Sequence, residues 1–469
     1  MGAKNAPFVT CALNLGVGGA ICHAQTEGPL GRPVLLRLHG SEPRHHVAWT
    51  SQTRRGDVVI SKSAFGNRHG LSEYYFPTEA ARKREASTSA GDHLAAATGA
   101  GAVEFGFVEL APNAILSERT YMRVAQVAPL SESVPPKLYG GTERVVSFLT
   151  DQLVDLGHDV TLFASADSST SATLAPMWPE ALRLQGTCTD HLAPHLLMLE
   201  KVIARINEFD VVHFHIAQLH FPAMRRLPGV PHVTTLHGRL DIDELKPLYQ
   251  EFADIPVVSI SDSQRLPLPH AGWVGTVHHG LPLELFSLHP HPGDYLAFLG
   301  RISPEKGVDR AIAIATACGE RLRIAAKVDP ADRDYFERDI RPLLDHPLVE
   351  FIGEIPDREK NAFLGGAKAL LFPIDWPEPF GLVMIEAMAC GLPVVAFSGG
   401  SVREIIDDGV TGLIVDSIED AVAAVRRVHT IDRGGCRQTF ERRFSARRMA
   451  SDYVDIYRQL IVRSPELVA

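Results

Sequence analysis

No pair of cysteines in this 469-residue chain is spaced Cys-x-x-Cys, and its six cysteines, Cys11, Cys22, Cys188, Cys318, Cys390 and Cys436, are scattered. That spacing argues against a disulfide framework and against a structural zinc site, and it fits a reducing cytoplasm. No apolar run is long enough to cross a bilayer. The first residues lack a charged segment followed by an apolar stretch, so no signal peptide is expected. Basic excess is missing as well: 46 Lys and Arg stand against 56 Asp and Glu, a formal net charge of −10. A protein that neutralises many phosphates shows a basic face, so no nucleic-acid partner is expected, although one diphosphate needs only a small patch. What is present is ordinary globular composition, 45% hydrophobic and 22% charged, in a chain long enough for two or three domains.

Residues 1–121 show no sustained period. Gly91-Asp92-His93 and Ala95-Ala96-Ala97-Thr98-Gly99-Ala100-Gly101 typify them, and Val34-Leu35-Leu36 is the one short run that reads as a strand. They carry no chemistry motif. The expectation is an N-terminal extension that is either disordered or an artefact of a start site placed upstream of Met122.

From Met122 the pattern sharpens. Met122–Val127 reads as a strand, residues 142–156 carry apolar residues at helical spacing, Gly157 is a helix stop, and His158–Ala164 reads as the next strand. Further strands are expected at Val211–Phe214, Val233–Leu236, Val257–Ile260 and Thr276–His278. His289-Pro290-His291-Pro292-Gly293 offers no apolar anchor and reads as an interdomain linker. A second series follows at Leu296–Leu299, Leu322–Ala326, Val349–Ile352, Ala369–Phe372, Val394–Ala396 and Leu413–Val415. Strands alternating with helices twice over predict two doubly wound, Rossmann-like α/β domains facing across a cleft. The boundaries are 122–285 for an acceptor domain and 286–445 for a donor domain. A last helix at 446–469 is expected to pack back on the first domain.

The strongest motif is Glu378-Pro379-Phe380-Gly381-Leu382, leading through Glu386 to Cys390-Gly391-Leu392-Pro393. It follows one expected strand and precedes another, with a helix expected to start near Phe380. Free amides around Gly381 and Leu382, backed by the helix dipole, favour a phosphate, and Gly381 permits close backbone approach. Glu378 can accept hydrogen bonds from sugar hydroxyls and Glu386 from a ribose diol. Two solvated glutamates on an ordinary helix are the bland alternative; the flanking motifs argue against it. In Gly300-Arg301-Ile302-Ser303-Pro304-Glu305-Lys306-Gly307, Arg301 and Lys306 can neutralise a leaving diphosphate. Gly140, Gly141 and Thr142, after the first strand, let backbone amides approach a phosphate or an acceptor. His213 and His215 face one side of a strand, but no third ligand at useful spacing supports a metal.

At these residues the chain resembles glycosyltransferase family 4, retaining enzymes of the GT-B fold, over Met122 to the C-terminus. Glu378 and Glu386 match that family's signature of two glutamates eight residues apart. The resemblance implies diphosphate binding by Arg301 and Lys306, a glycine-rich loop at Gly140-Gly141-Thr142, and His237, in Thr235-Leu236-His237-Gly238, near the donor sugar. With Glu378 these make the expected catalytic set: His237, Arg301, Lys306, Glu378. Donor binding is expected at Gly141, Arg301, Lys306, Lys327, Phe380, Gly381, Leu382 and Glu386. Lys327 enters because Ala325-Ala326-Lys327 stands where many relatives have a Gly-x-Gly turn. His278-His279-Gly280 resembles the family's turn into the linker, and Gly399-Gly400-Ser401 a supporting loop.

The implied partner is a nucleotide-diphosphate sugar, consumed as a substrate, with no cofactor and no metal. The second substrate is a hydroxyl acceptor: a glycan, lipid or small molecule, a lipid bringing peripheral membrane contact. A sugar-nucleotide epimerase or a phosphorylase of the same fold, and a non-catalytic sugar-nucleotide-binding protein, are the rival readings. If residues 1–121 lie outside the catalytic fold, a chain beginning at Met122 keeps full activity; a truncated protein that folds but does not turn over refutes this.

Overall fold

The computed structural model describes six strands within the first 119 residues, and then residues 121–463 apart from 138, 139, 187 and 228. Tyr139 of the glycine-rich loop therefore lies outside the described residues, as does most of the N-terminal extension. The six early strands are Cys11–Asn14, Ile21–Ala24, Val34–Leu35, Val47–Arg54, Asp57–Ala64 and Glu73–Pro77. They form one two-stranded and one four-stranded antiparallel sheet within a compact unit, Met1–Phe107. Val34–Leu35 coincides with the run singled out from sequence. The other five were not read as strands, because antiparallel hairpins lack the intervening helical period that marks strands joined by crossovers.

The second unit, Val108–Ala469, holds two parallel sheets. The first contains β1 (Arg123–Val127), β2 (Asp159–Ser165), β3 (Thr173–Trp178), β4 (Val211–Phe214), β5 (His232–Thr235), β6 (Val257–Ser259) and β7 (Trp273–Thr276). Its order is β7-β6-β5-β4-β1-β2-β3. The second contains β8 (Tyr295–Ile302), β9 (Arg321–Val328), β10 (Val349–Gly353), β11 (Ala367–Phe372), β12 (Val394–Phe397) and β13 (Gly412–Val415), in the order β10-β9-β8-β11-β12-β13. The doubly wound α/β architecture expected from the alternation is thus what forms. Central strands such as Val-Val-His-Phe and Ala-Lys-Ala-Leu-Leu-Phe are nearly continuous apolar runs, as strands covered on both faces require.

Two strands depart from expectation, both at sheet edges. β3 was missed because Pro176 interrupts it, yet an edge strand tolerates a residue with no N–H to donate. β7 lies three residues earlier than Thr276–His278, since Gly275 reads as a breaker but sits beside a register shift against β6.

Four helices bear on the site: α1 (Gly141–Asp155), α2 (Val308–Cys318), α3 (Leu382–Ala389) and α4 (Ala446–Arg463). α4 buries Met449, Ala450, Tyr453, Ile456, Tyr457 and Leu460, a stripe at helical spacing, against Val124, Val211, Val233 and Val258 of the first sheet. The chain therefore crosses between the sheets twice, and the crossings touch. The Leu281 amide donates to the Phe444 carbonyl (2.9 Å) and the Ala446 amide to that of Leu281 (2.8 Å). Gly280 is required there, because a Cβ would stand 2.3 Å from the Ser445 carbonyl oxygen. The Pro- and His-rich stretch is pinned on the second sheet's side, with the His289 amide on the Cys390 carbonyl (3.0 Å).

A further brace is Glu404. Its carboxylate accepts from the Asp262 and Ser263 amides (2.7 Å each), the exposed N-terminus of the short helix Asp262–Arg265, and from His278 Nε2 (3.3 Å). Burial pushes this carboxyl up, but the hydrogen bonds from His278 and the two amides outweigh it, and the net shift is downward from 4.5. A depressed folded value makes the stabilisation complete above the ordinary carboxylate range and lost as pH falls through the folded value. Glu404→Gln is therefore expected to lower Tm at neutral pH, with the gap from wild type closing as pH drops below 4.5. Calorimetry across that range checks it; a gap independent of pH counts against the brace.

Candidate active site

The carboxyl ends of β1 and β4, and of β8 and β11, are the places where each sheet reverses its winding, and ligands bind at such points. Both ends open on a cavity of about 630 Å³. It is lined by every residue expected in catalysis, in donor binding or in the glycine-rich loop: Gly140, Gly141, Thr142, His237, Arg301, Lys306, Lys327, Glu378, Phe380, Gly381, Leu382 and Glu386.

After β11 the chain runs through Trp376 and Glu378 to Gly381, which has φ +79° and caps α3. That left-handed residue moves the helix start from the expected Phe380 to Leu382, and Phe380, only 2% exposed, turns into the core instead. A Cβ on Gly381 would meet Met384 Cε at 2.7 Å. The amides of Leu382 and Val383 open the helix and have no intrahelical acceptor. Glu378, 7% exposed, accepts from Trp376 Nε1 (2.9 Å) and pairs with Lys306 Nζ. Its backbone is clasped by residues 399–401: the Ser401 amide donates to the Glu378 carbonyl (2.9 Å), and Ser401 Oγ to that of Phe380 (2.8 Å). Gly400, at φ +56°, leaves no room for a side chain, since a Cβ would lie 2.2 Å from the Glu378 carbonyl oxygen.

Glu386 is 2% exposed and surrounded by cations. Arg144 Nη1, from α1 under the first sheet, lies 2.5 Å from it, and Lys360 Nζ 3.7 Å. Asp357 joins both, at 3.0 Å from Arg144 and 2.7 Å from Lys360. Burial pushes the Glu386 carboxyl up, yet Lys360 and Arg144 hold it below its usual value.

Arg301 sits in β8, directly across from Lys327 in β9. Arg301 pairs with Glu305 (2.6 Å) and Asp332 (3.7 Å), Lys327 with Asp329 (3.5 Å). Lys306, in the turn Pro304–Lys306, also lies 4.9 Å from the Trp376 ring centroid. The cleft wall thus presents three cations, each held by a carboxylate.

Opposite them stands the glycine-rich loop. Gly140 caps α1, and a Cβ on Gly141 would lie 3.8 Å from Leu382, so the loop closely faces the start of α3. Glu143 is buried beside it, and burial raises its carboxyl. His237 follows β5; its Nε2 lies 2.9 Å from His215 Nδ1, and its ring stacks on His279 (5.3 Å), which packs on Phe380 (4.8 Å). Burial pushes His237 down to about 3, so the ring is neutral. His213 and His215 hydrogen-bond to neighbouring side chains, and the described residues hold no group of three or more His, Cys, Asp or Glu suited to a metal. Arg144, Lys360 and Trp376 were not foreseen as site residues. Arg144 stands two residues after Thr142 of the glycine-rich loop, and that nearness is the signal the sequence offers for it.

A model described as "Glycosyltransferase Family 4" matches residues 139–333, and one described as "Glycosyl transferases group 1" matches residues 286–438. A D-inositol 3-phosphate glycosyltransferase of Frankia alni is 30% identical over 355 residues, covering 63% of this chain and 85% of the relative. The chain belongs to glycosyltransferase family 4. Another relative of this family 4 enzyme is a phosphatidyl-myo-inositol mannosyltransferase of Mycobacterium leprae, 26% identical, covering 65% of this chain and 86% of the other. Of an uncharacterized protein in the cps region of Klebsiella pneumoniae, 30% identical, the chain spans 46%. Among solved structures, AviGT4, a glycosyltransferase involved in avilamycin A biosynthesis, superposes with a TM-score of 0.56 at 25% identity, covering 72% of this chain and 98% of that one. HepE of Anabaena in complex with UDP and glucose shares the fold, with a TM-score of 0.55 at 17% identity, 71% of this chain and 99% of that one. The family 4 enzyme thus has the GT-B fold.

Two glycines separate support of Glu378 from mere backbone freedom. Gly400 and Gly319 both have positive φ, but a Cβ on Gly319, at the end of α2, meets nothing within 4 Å. Gly400→Ala is expected to slow turnover by about 10- to 100-fold by displacing Glu378. Gly319→Ala is expected to lower only Tm. Equal turnover in the two variants would show that the clasp does not place the carboxylate.

Proposed function

We propose that this family 4 enzyme is a retaining, metal-independent hexosyltransferase of carbohydrate biosynthesis that moves a sugar from a nucleotide-diphosphate donor to a hydroxyl acceptor in the cytoplasm. The observation that carries this reading is the meeting of Arg301, Lys306 and Lys327 with the first amides of α3 along one wall of the cleft, beside Glu378 and Glu386.

The donor diphosphate lies against the three cations and the amides of Leu382 and Val383, displacing Glu305 from Arg301 and Asp329 from Lys327 while Lys306 stays paired with Glu378. Glu386 receives the ribose diol and Glu378 the sugar hydroxyls. As the bond from the anomeric carbon to the phosphate oxygen breaks, charge grows on the diphosphate, and fixed cations in a closed cleft stabilise it most at that moment. The acceptor hydroxyl enters from the leaving-group face, its oxygen bonds to the anomeric carbon, and its proton passes to the departing phosphate oxygen. Configuration is thereby retained. Glu378 is no nucleophile in this scheme, because Lys306 and Trp376 hold it to the wall. His237, neutral beside the donor sugar, positions rather than protonates. The three cations take the place that a divalent metal would fill on the diphosphate, and no cofactor is called for.

The acceptor is a glycan, a lipid or a small molecule. The mannosyltransferase relative is named for a phosphatidylinositol acceptor. No helix among the described residues is long and apolar enough to cross a membrane, so a lipid acceptor would be met by peripheral contact.

A screen of UDP-, GDP- and ADP-glucose and GDP-mannose with a pooled acceptor extract tests the reading, following nucleoside diphosphate release. UDP-glucose goes first, since HepE of Anabaena, of the same fold, was crystallised with it. Release that needs both one donor and the extract is the expected result, with Glu378→Ala abolishing it. Arg301→Ala and Lys306→Ala are each expected to lower kcat by about 10²–10³. Normal turnover in either variant overturns the diphosphate assignment. A donor converted without acceptor into its epimer overturns transfer.

A further inference from the structure

Behind the cleft, buried side chains join His237 to the last helix in a continuous hydrogen-bonded chain. His237 Nε2 meets His215 Nδ1 (2.9 Å), and His215 Nε2 meets Gln126 Oε1 (2.7 Å). The Gln126 amide nitrogen donates to the Tyr457 hydroxyl of α4 (3.1 Å). That hydroxyl lies 2.7 Å from His213 Nδ1, whose Nε2 lies 2.7 Å from Thr235 Oγ1. Gln126, His213 and Thr235 are fully buried, and Tyr457 with them.

Each bond fixes the next. The Gln126 nitrogen is engaged by Tyr457, so its oxygen faces His215, and a carbonyl oxygen only accepts. His215 Nε2 therefore carries a hydrogen. Burial, with His213 and His237 alongside, keeps His215 neutral, and a neutral imidazole has one N–H. Its Nδ1 is then bare and can only accept, so the hydrogen between the two rings belongs to His237 Nε2. His237 is neutral as well, which leaves its Nδ1 with a lone pair and no hydrogen. That Nδ1 is the atom of the ring that is buried and has no partner in the protein. The ring lines both the main cavity and an adjoining hollow of about 440 Å³ that Thr142, His215 and Ala217 help to form. Turning the Gln126 amide over would reverse every bond in the chain and present an N–H at the same place.

We propose that Gln126 and His215 are positioning residues for the transfer, holding His237 in the tautomer whose Nδ1 accepts a hydrogen bond from a substrate hydroxyl. This rests on the reading above that His237 stands at the reacting centre. It adds that the orientation of one amide, out of reach of either substrate, decides whether the ring is an acceptor or a donor there. A hydroxyl that donates to Nδ1 has its oxygen lone pairs turned away from the ring, and the opposite tautomer would turn them toward it.

The test is the ring ¹⁵N chemical shifts of His237 in histidine-labelled full-length protein, assigned by their loss in His237→Asn. Wild type is expected to show a protonated Nε2 and a bare Nδ1. Gln126→Met, which fills the space without hydrogen bonding, is expected to give a mixture of tautomers. Its kcat, read as nucleoside diphosphate released from whichever of UDP-, GDP- and ADP-glucose the enzyme uses, should fall by about 10- to 100-fold with donor KM little changed. His215→Asn, whose side-chain oxygen can stand where Nδ1 stood, is expected to keep the tautomer and most of the rate. A hydrogen on Nδ1 in wild type overturns the proposal, as does an unchanged tautomer in Gln126→Met. The wild-type spectrum, once assigned, requires no turnover assay, so failure of the transferase reading is distinguishable from failure of this one.

Discussion

Glu386 is a charge almost wholly out of water, and such a charge persists only where counterions surround it. Lys360 comes from its own side of the cleft, but the shorter contact is to Arg144, which α1 brings from beneath the first sheet. The pair therefore spans the cleft. Arg144 lies three residues after Gly141, in the first turn of α1, so whatever seats its guanidinium also helps to seat the glycine-rich loop opposite Leu382. Separating the two sheets would strand a buried carboxylate, and removing the carboxylate would leave Arg144 with a weaker hold on the second sheet. The ion pair thus helps to set the closeness of the cleft and the position of its glycine-rich wall, together with the Leu281, Phe444 and Ala446 contacts and Glu404.

The same logic governs the cations. With an overall charge of −10, the protein gathers Arg301, Lys306 and Lys327 on one wall and neutralises each with a nearby carboxylate. Such partners lower the cost of keeping like charges close before any ligand arrives. They also mean that an anion gains only the difference between its own contacts and those it replaces. A diphosphate, with several oxygens and the α3 amides to add, can win that exchange where a single carboxylate or a chloride ion does not. Under the proposed function, discrimination for a doubly charged, two-centred anion follows from the arrangement rather than from any one residue.

Local pattern carried most of the fold. Val-Val-His-Phe and Leu-Leu-Phe announce buried parallel strands without help from elsewhere, and the edge strands were the ones misplaced, because Pro176 and Gly275 are tolerated only where pairing is one-sided. The site was legible to the same degree. Glu378, Gly381 and Glu386 share one short segment, as do Arg301 and Lys306, and turn chemistry limits what such segments can be. Partners distant in sequence were not legible. Arg144 and Glu386 are 242 residues apart, Gln126 and Tyr457 are 331 apart, and Gly400 reaches Glu378 only because β12 lies beside β11. Those contacts depend on how two sheets and a returning helix are assembled, which no window of sequence displays. The start of α3 failed for a smaller reason: the sequence shows that Gly381 is a glycine, and only the fold shows that it is left-handed.

The returning helix gives the assembly a role beyond closing the chain. α4 covers the first sheet with an apolar stripe, and along that stripe it inserts two tyrosine hydroxyls, Tyr453 and Tyr457, into the core. Buried hydroxyls are tolerated there only because His213, Thr235 and Gln126 wait for them, and those side chains are polar residues at fully buried positions of β4, β5 and β1. A sheet built for stability alone would place valine at these positions. That β1, β4 and β5 each give up an apolar residue to this cluster, at their carboxyl ends and directly behind His237, is hard to explain by packing. It follows readily if the orientation of His237 is what the cluster maintains, and then the C-terminal helix, far in sequence from His237, belongs to the support of the reacting centre.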